Sequence, residues 1–253
     1  MITIYGKASR DFAPIIGEAT FSPKKFYDRS RYILLSNTLD FGSLAYKGCV
    51  ITGDKGRFYH PDHIYQTEDI NKIKEGDIIK LDGSGRIDVL WEINSTQNCL
   101  FLTENCNCRC VMCPQPPTSI NSKIFINDAN NVLDLIHEKN ITDICLTGGE
   151  PSLTGKSFFN ILYRCVDEHP NARIHILTNG KLFADKDFAN QLSGVPVKNI
   201  LFCVSLHSEV DTLHDEIVGT TGSYAKTQQG IYNLASMGFP IEIRVVVSRY
   251  NYI

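Results

Sequence analysis

Four cysteines fall within eight residues of this chain, in the stretch ENCNCRCVMCP (Glu104–Pro114). Thiols crowded so tightly have four explanations: a disulfide knot, a zinc site, an iron–sulfur cluster, or chance. The run C-x-C-x-C-x2-C offers zinc four ligands, but ligands so close in sequence strain a tetrahedral site, which usually draws on two separated pairs. No second C-x2-C pair occurs in the chain. Thiolates are also the usual ligands of iron–sulfur clusters. Further along stands LTGGEP, in which Gly148 and Gly149 allow a backbone approach that side chains would block. Glu150 follows them, and a carboxylate accepts charge-assisted hydrogen bonds from an ammonium. Taken alone, this segment is also a Gly-Gly turn with a solvated Glu. Small polar residues recur in LTNG (Thr178, Asn179) and VSLHS (Ser205, with His207 after it), although Asn-Gly is equally a common turn. Cys49, His60 and His63 form another possible metal group, with a buried Cys and two loop histidines as the plainer account. Cys99, Cys145, Cys165 and Cys203 lie in apolar runs and are expected to pack as small hydrophobes. Cys108 reads as a spare loop thiol.

Composition narrows these choices. With 253 residues, 43% hydrophobic and 21% charged, the chain can bury a sizeable core as one domain, or as one domain plus a smaller one. A formal charge of −3 supplies no general basic field, which weighs against nucleic acid or an anionic membrane as partner. The N-terminal stretch lacks the charged start and apolar run of a secretory signal, and no segment approaches the length of a membrane span. A reducing, cytoplasmic setting is therefore expected. There, an odd count of nine cysteines favours metal or catalytic use over a disulfide framework.

The elements that must position these residues divide at about residue 98. Residues 1–97 hold short β-type pieces, RYILLS, AYKGCVITG and GDIIKL-DGSG-RIDVLWEI, the last a hairpin signal around its Gly-containing turn. They predict a small β-rich domain. Residues 98–253 alternate short apolar runs with longer amphipathic ones. CLFLTE, TDICLTGGEP, RIHILTNG, NILFCVSLHS and IEIRVVVS predict strands. NDANNVLDLIHEKN, capped by Asn127 or Asp128, KSFFNILYRCVDEH, DKDFANQLSG and SYAKTQQGIYNLASMG predict the helices between them. Such alternation predicts an α/β fold of parallel β–α units. The cysteine loop, GGEP, TNG and SLHS then fall in order at the carboxyl ends of successive strands, where β/α barrels place their chemistry.

Cys106, Cys110 and Cys113, in C-x3-C-x2-C spacing with TGGEP one strand later, make residues 98 to 253 resemble the radical S-adenosylmethionine (SAM) enzymes. The resemblance implies a partial (β/α) barrel and a [4Fe–4S] cluster held by these three cysteines, whose remaining iron binds the amino and carboxylate groups of SAM. An electron from the reduced cluster would cleave SAM to methionine and a 5′-deoxyadenosyl radical, hydrogen-abstraction chemistry that side chains leave to cofactors. It further implies that Gly148, Gly149 and Glu150 hold the SAM amino group. Thr178, Asn179 and Ser205 would contact its ribose and carboxylate, and the fifth strand, with Arg244, would lie against the site. His207 is a candidate to face substrate.

The chain departs from the family pattern at three points. Met112 stands where an aromatic residue commonly packs at the adenine, and its sulfur keeps a soft contact available. Val218 stands where peptide-modifying relatives often carry an Arg that pairs with the SAM carboxylate. The sequence stops after a fifth β–α unit where the family core usually has six, so the barrel is expected to lack its last unit. LFLTENCNCRCVMCPQPP, after a β-hairpin ending in VLWEINSTQN, resembles the maturases of the His-Xaa-Ser peptide systems. That subgroup implies modification of a peptide or protein substrate, an electron donor such as a flavodoxin or ferredoxin, and a partner maturase. A non-catalytic cluster-binding scaffold and a radical enzyme acting on tRNA or a small cofactor precursor stand as alternatives.

Overall fold

The computed structural model describes residues 2–37, 43–54 and 62–252. The chain divides into two compact units: one runs to Ser95 and includes Asp134–Glu138, and the other comprises Thr96–Leu133 and Lys139 onward.

The first unit is a single β-sheet. Its strands are β1 (Ile2–Tyr5), β2 (Lys7–Ala8), β3 (Ile15–Thr20), β4 (Tyr32–Ser36), β5 (Gly48–Ile51), β6 (His63–Tyr65), β7 (Ile78–Leu81) and β8 (Arg86–Trp91). Their order is β1-β8-β7-β3-β4-β5-β6-β2. The two outer strands are consecutive in the chain, separated by Gly6 alone, so the sheet begins and ends on one bent segment. A Cβ at Gly6 would come within 2.5 Å of Ile64 Cγ2, which explains a glycine at the bend. The hairpin read from sequence is β7–β8, closed by a turn in which Asp82 Oδ1 accepts from the Ser84 amide and Gly85 takes φ +88°. Ile33, Leu35, Val50, Ile64, Ile79, Leu81 and Ile87 fill the interior. Cys49 and His63 are direct neighbours on β5 and β6, and both are buried. His63 is therefore a strand residue and not a loop residue, and burial pushes the Cys49 thiol up to about 12. His60 lies outside the described residues.

The second unit is the parallel sheet that the alternating pattern predicts. It comprises β9 (Cys99–Phe101), α1 (Lys123–Ile136, of which Lys123–Leu133 belong to this unit), β10 (Asp143–Thr147), α2 (Lys156–Glu168), β11 (Arg173–Thr178), α3 (Lys186–Asn190), β12 (Ile200–Ser205), α4 (Asp211–Val218), α5 (Ser223–Ser236) and β13 (Ile241–Arg244). The strands lie in sequential order, β13-β12-β11-β10-β9, all parallel. Alternation of side chains gives the sheet two characters. Leu100, Ile144, Leu146, Ile174, Ile176, Phe202 and Val204 are buried, whereas Phe101, Cys145, Thr147, His175, Leu177 and Ser205 on the alternate positions are half-buried. Edge-to-face contacts among Phe158, Phe183, Phe202 and Phe239 fill the apolar layer.

Several expectations need correction. Helix α1 starts four residues before Asn127, where Asn121 Oδ1 accepts from the Lys123 amide; Asn127 and Asp128 lie inside the helix. The earlier start places Phe125 edge-on to Phe101, 5.2 Å away. The strand IEIRVVVS ends at Arg244, and Val245, Val246 and Val247 are exposed. Helix α4 was not anticipated, because its eight residues carry little periodic signal beyond Leu213, Ile217 and the stop at Gly219, φ +64°. Cys165 and Cys203 are buried as expected, but Cys99 is exposed and Cys145 half-buried, in direct register on adjacent strands. Among the described residues no helix is long and apolar enough to cross a membrane.

Candidate active site

The carboxyl ends of β9–β12 enclose a cavity of about 350 Å³. Cys106, Cys110 and Cys113 line it, together with Gly148 and Gly149 from the end of β10. Thr178 and Asn179 from β11, and Ser205 and His207 from β12, complete the set of residues that the sequence points to. Met112, Glu150 and Arg244 are not part of its wall. Arg244 is in register with Ser205, but it is exposed and its Nε donates to Glu242 Oε1 at 2.6 Å.

Backbone contacts hold the cysteine loop from two sides. On one, Gly149 N donates to Thr103 O at 2.7 Å and Glu150 N to Asn105 O at 2.8 Å. The glycines make this possible: a Cβ at Gly148 would sit 2.5 Å from Thr103 O, and one at Gly149 2.4 Å from Asn105 O. Gly148 also takes φ +155°, which side chains rarely allow. The backbone that these glycines admit is thus that of the cysteine loop itself. On the other side, Arg109 N donates to Val218 O at 2.8 Å and Val111 N to Ile217 O at 2.9 Å, satisfying carbonyls left open at the end of α4.

Glu150 lies beneath this junction, 1% exposed. Its Oε1 accepts from the Ser152 hydroxyl and from Thr178 Oγ1, and its Oε2 from the Asn179 amide at 2.7 Å. Burial raises its carboxyl above the usual range, against the pull of these donors. The side chain thereby ties the end of β10 to the end of β11.

Cys108 is not a spare thiol. It is 3% exposed, and its Sγ lies 3.4 Å from Lys181 Nζ and 3.6 Å from Asn179 Nδ2. Lys181, itself buried, also donates to Asn107 O at 2.9 Å. Hydrogen bonds from the Cys106 and Cys110 thiols, together with the Lys181 charge, hold Cys108 well below the ordinary thiol value. The same bonds, followed by burial, hold Cys106 and Cys110 above it.

Two histidines close the cavity. His207 and His214 stack with ring centroids 5.9 Å apart, and both line the wall. Val246 N donates to His207 Nδ1 at 3.3 Å and His207 N to His214 Nδ1 at 3.1 Å, so each neutral ring carries its proton on Nε2. Burial lowers both imidazoles below the ordinary value, and for His207 the neighbouring His214 adds to it. The sequence reading overlooked His214, Lys181 and Ser223. His214 was legible only through α4, where it stands one turn before Val218.

These donors fit a cluster better than a single ion. Among the described residues no three His, Cys, Asp or Glu side chains converge on one metal position. A four-iron cluster instead spreads its thiolates over separate irons, as suits several thiols distributed around one cavity, which Cys106, Cys108, Cys110 and Cys113 all line.

A cysteine-rich loop at the carboxyl end of the first strand of a parallel β–α sheet defines the class. Residues 100–252, more than half of the chain, match the Radical SAM superfamily, and the chain belongs to it. Its cofactors are accordingly a [4Fe–4S] cluster and S-adenosylmethionine. Among curated proteins it is similar to an AdoMet-dependent heme synthase of Methanosarcina barkeri, 29% identical over 152 residues, covering 59% of this chain and 42% of that one. It is likewise similar to a GTP 3′,8-cyclase of Desulforamulus reducens, 29% identical over 157 residues, covering 59% and 46%. The chain thus spans under half the length of these relatives. Among solved structures it resembles Streptococcus suis SuiB bound to S-adenosylmethionine, with TM-score 0.48, 18% identity, and coverage of 60% and 34%. It also resembles anSMEcpe with bound AdoMet and the Cp18Cys peptide, with TM-score 0.44, 22% identity, and coverage of 59% and 43%.

Proposed function

We propose that this chain initiates radical chemistry by reductive cleavage of SAM and directs it at a peptide or protein. The observation that carries the first part is the convergence of Cys106, Cys110, Cys113, Gly148 and Gly149 on one cavity. When bound, a [4Fe–4S] cluster supplies the electron that splits SAM into methionine and a 5′-deoxyadenosyl radical.

Cys106, Cys110 and Cys113 are the residues to hold the cluster. Cys108, turned to Lys181 and Asn179, braces the loop. Gly148 and Gly149 hold that loop against β10, and Glu150 fixes the β10 and β11 ends that face the SAM amino group. Thr178, Asn179 and Ser205 line the wall for its polar groups. Arg244 and Met112 are not among the residues that line the cavity.

The peptide or protein substrate rests on the likeness of Leu100–Pro117 and its preceding hairpin to His-Xaa-Ser maturases. A flavodoxin or ferredoxin as electron donor and a partner maturase belong to the same reading. The names of the two curated relatives favour a second one, a small-molecule substrate of heme or nucleotide type.

The test is anaerobic. The protein is reconstituted with iron and sulfide, reduced with dithionite and given SAM, and 5′-deoxyadenosine is followed by chromatography beside Cys110→Ala. Deoxyadenosine from the parent alone supports initiation. A loaded cluster without deoxyadenosine would favour a non-catalytic scaffold. A mass change in a candidate peptide, as opposed to a tetrapyrrole or nucleotide, separates the two substrate readings.

A further inference from the structure

The cavity wall contains a buried hydrogen-bond donor without an acceptor. His214 is 1% exposed, and its Nε2 has no hydrogen-bond partner among the described residues. The ring is fixed from three directions. Its Nδ1 accepts from His207 N at 3.1 Å, its face stacks on His207, and the Tyr224 ring stands edge-on at 5.8 Å. With Nδ1 occupied as acceptor, Nε2 carries the proton. Burying an N–H in a folded protein without a partner is costly, and such groups are rare enough to call for a reason.

The polar groups of the neighbouring β11 end are already engaged. Thr178 Oγ1 and Asn179 N serve Glu150, and Asn179 Nδ2 serves Asn107 and Cys108. Among the described residues the wall holds no Arg or Lys; Lys181 is turned to Asn107 O and Cys108 Sγ. One turn after His214, on the same side of α4, Val218 contributes only apolar surface to the cavity. An anionic group entering here meets the neutral His214 donor and no Arg or Lys side chain, with Glu104 and Cys108 also in the wall.

We propose that His214 Nε2–H is the hydrogen-bond donor to the carboxylate of bound SAM. This rests on the reading of the cavity as a SAM site. The carboxylate is the anionic group of SAM and its strongest acceptor, and a hydrogen bond to a charged acceptor is stronger than one to a neutral group. A neutral imidazole provides that bond without placing a second full charge in a half-enclosed site. The stacked, doubly anchored ring presents the donor already oriented, so little ordering is required on binding.

The test separates the two ring nitrogens. In His214→Asn the amide oxygen reaches the Nδ1 position and keeps the acceptor for His207 N–H, while the donor at the ε position is lost. In His214→Gln the side-chain amide reaches the ε position. Equilibrium binding of SAM and of decarboxylated SAM is measured by calorimetry on the reconstituted, unreduced proteins, with iron content and circular dichroism matched.

For His214→Asn the expectation is SAM binding weakened about tenfold or more, with decarboxylated SAM unchanged within about twofold; His214→Gln recovers part of the loss. Equal weakening of both ligands, or no change in either, would overturn the assignment and leave His214 a structural residue of the β12–α4 turn. A parent that binds no SAM would instead refute the reading of the site on which this inference stands.

Discussion

Lys181 Nζ lies 3.4 Å from Cys108 Sγ, and both side chains are buried, 73 residues apart in the chain. The contact joins the cysteine loop to the end of β11. A buried ammonium is tolerated here because Asn107 O and the Cys108 sulfur together receive it. Cys108→Ala leaves it one acceptor short and should lower stability by roughly 1–3 kcal/mol, read from urea denaturation. Lys181→Met in the Cys108→Ala background should restore part of the loss. Iron content per chain should remain at the parent level in Cys108→Ala and fall in Cys106→Ala, Cys110→Ala and Cys113→Ala. Loss of iron in Cys108→Ala would instead assign that thiol to the cluster.

The glycine pair after β10 yields a steric prediction. Gly148→Ala or Gly149→Ala puts a methyl group 2.5 or 2.4 Å from a backbone oxygen of the cysteine loop, which must then move. A cost of roughly 1–3 kcal/mol is expected, with reduced iron loading because the loop that carries the ligands is displaced. Gly194→Ala, at φ +87° with nothing within 4 Å of the added atom, strains the backbone without touching that loop. It should leave iron loading intact. Equal loading in all three variants would show that the two loops are not tightly joined.

The stacked histidines predict the direction of a pH effect. Burial holds His207 and His214 below the ordinary histidine value, so between that value of about 6.5 and their folded-state values the unfolded chain binds more protons. Their contribution is present in full above about pH 6.5 and is lost as pH falls, by up to about 1.4 kcal/mol per group for each pH unit inside the window. Thermal unfolding of the parent and of a His207→Gln, His214→Asn double variant should show the difference between them shrinking from pH 8 to pH 5.5. A difference independent of pH would mean that the rings are not held neutral.

Cys99 and Cys145 give a reactivity prediction. A hydrogen bond from the Cys145 thiol lowers Cys99 to about 7, and the same bond raises Cys145. Cys99 is exposed, so iodoacetamide should modify it near neutral pH well before the buried Cys165, whose thiol burial pushes up to about 12. In Cys145→Ala the pH at half-maximal rate for Cys99 should rise toward the ordinary thiol value. Site-localised mass spectrometry reads both, and an unchanged profile would rule out the thiol–thiol contact.

What the chain encoded locally was legible without coordinates. Alternating short apolar and longer amphipathic runs determine the parallel β–α unit, because strand and helix periods differ. The cysteine spacing and the Gly-Gly-Glu at a strand end determine the kind of chemistry, because ligand and turn requirements act over a few residues. Helix α4 escaped notice because eight residues carry too little periodicity, and with it went His214. The burial of Cys108 opposite Lys181, the exposure of Cys99 beside Cys145, the turning of Arg244 to Glu242, and the use of Gly148 and Gly149 to admit Thr103 and Asn105 were decided by tertiary structure. Each depends on which strand ends and loops come together, and a side chain's own type and neighbours in sequence do not contain that.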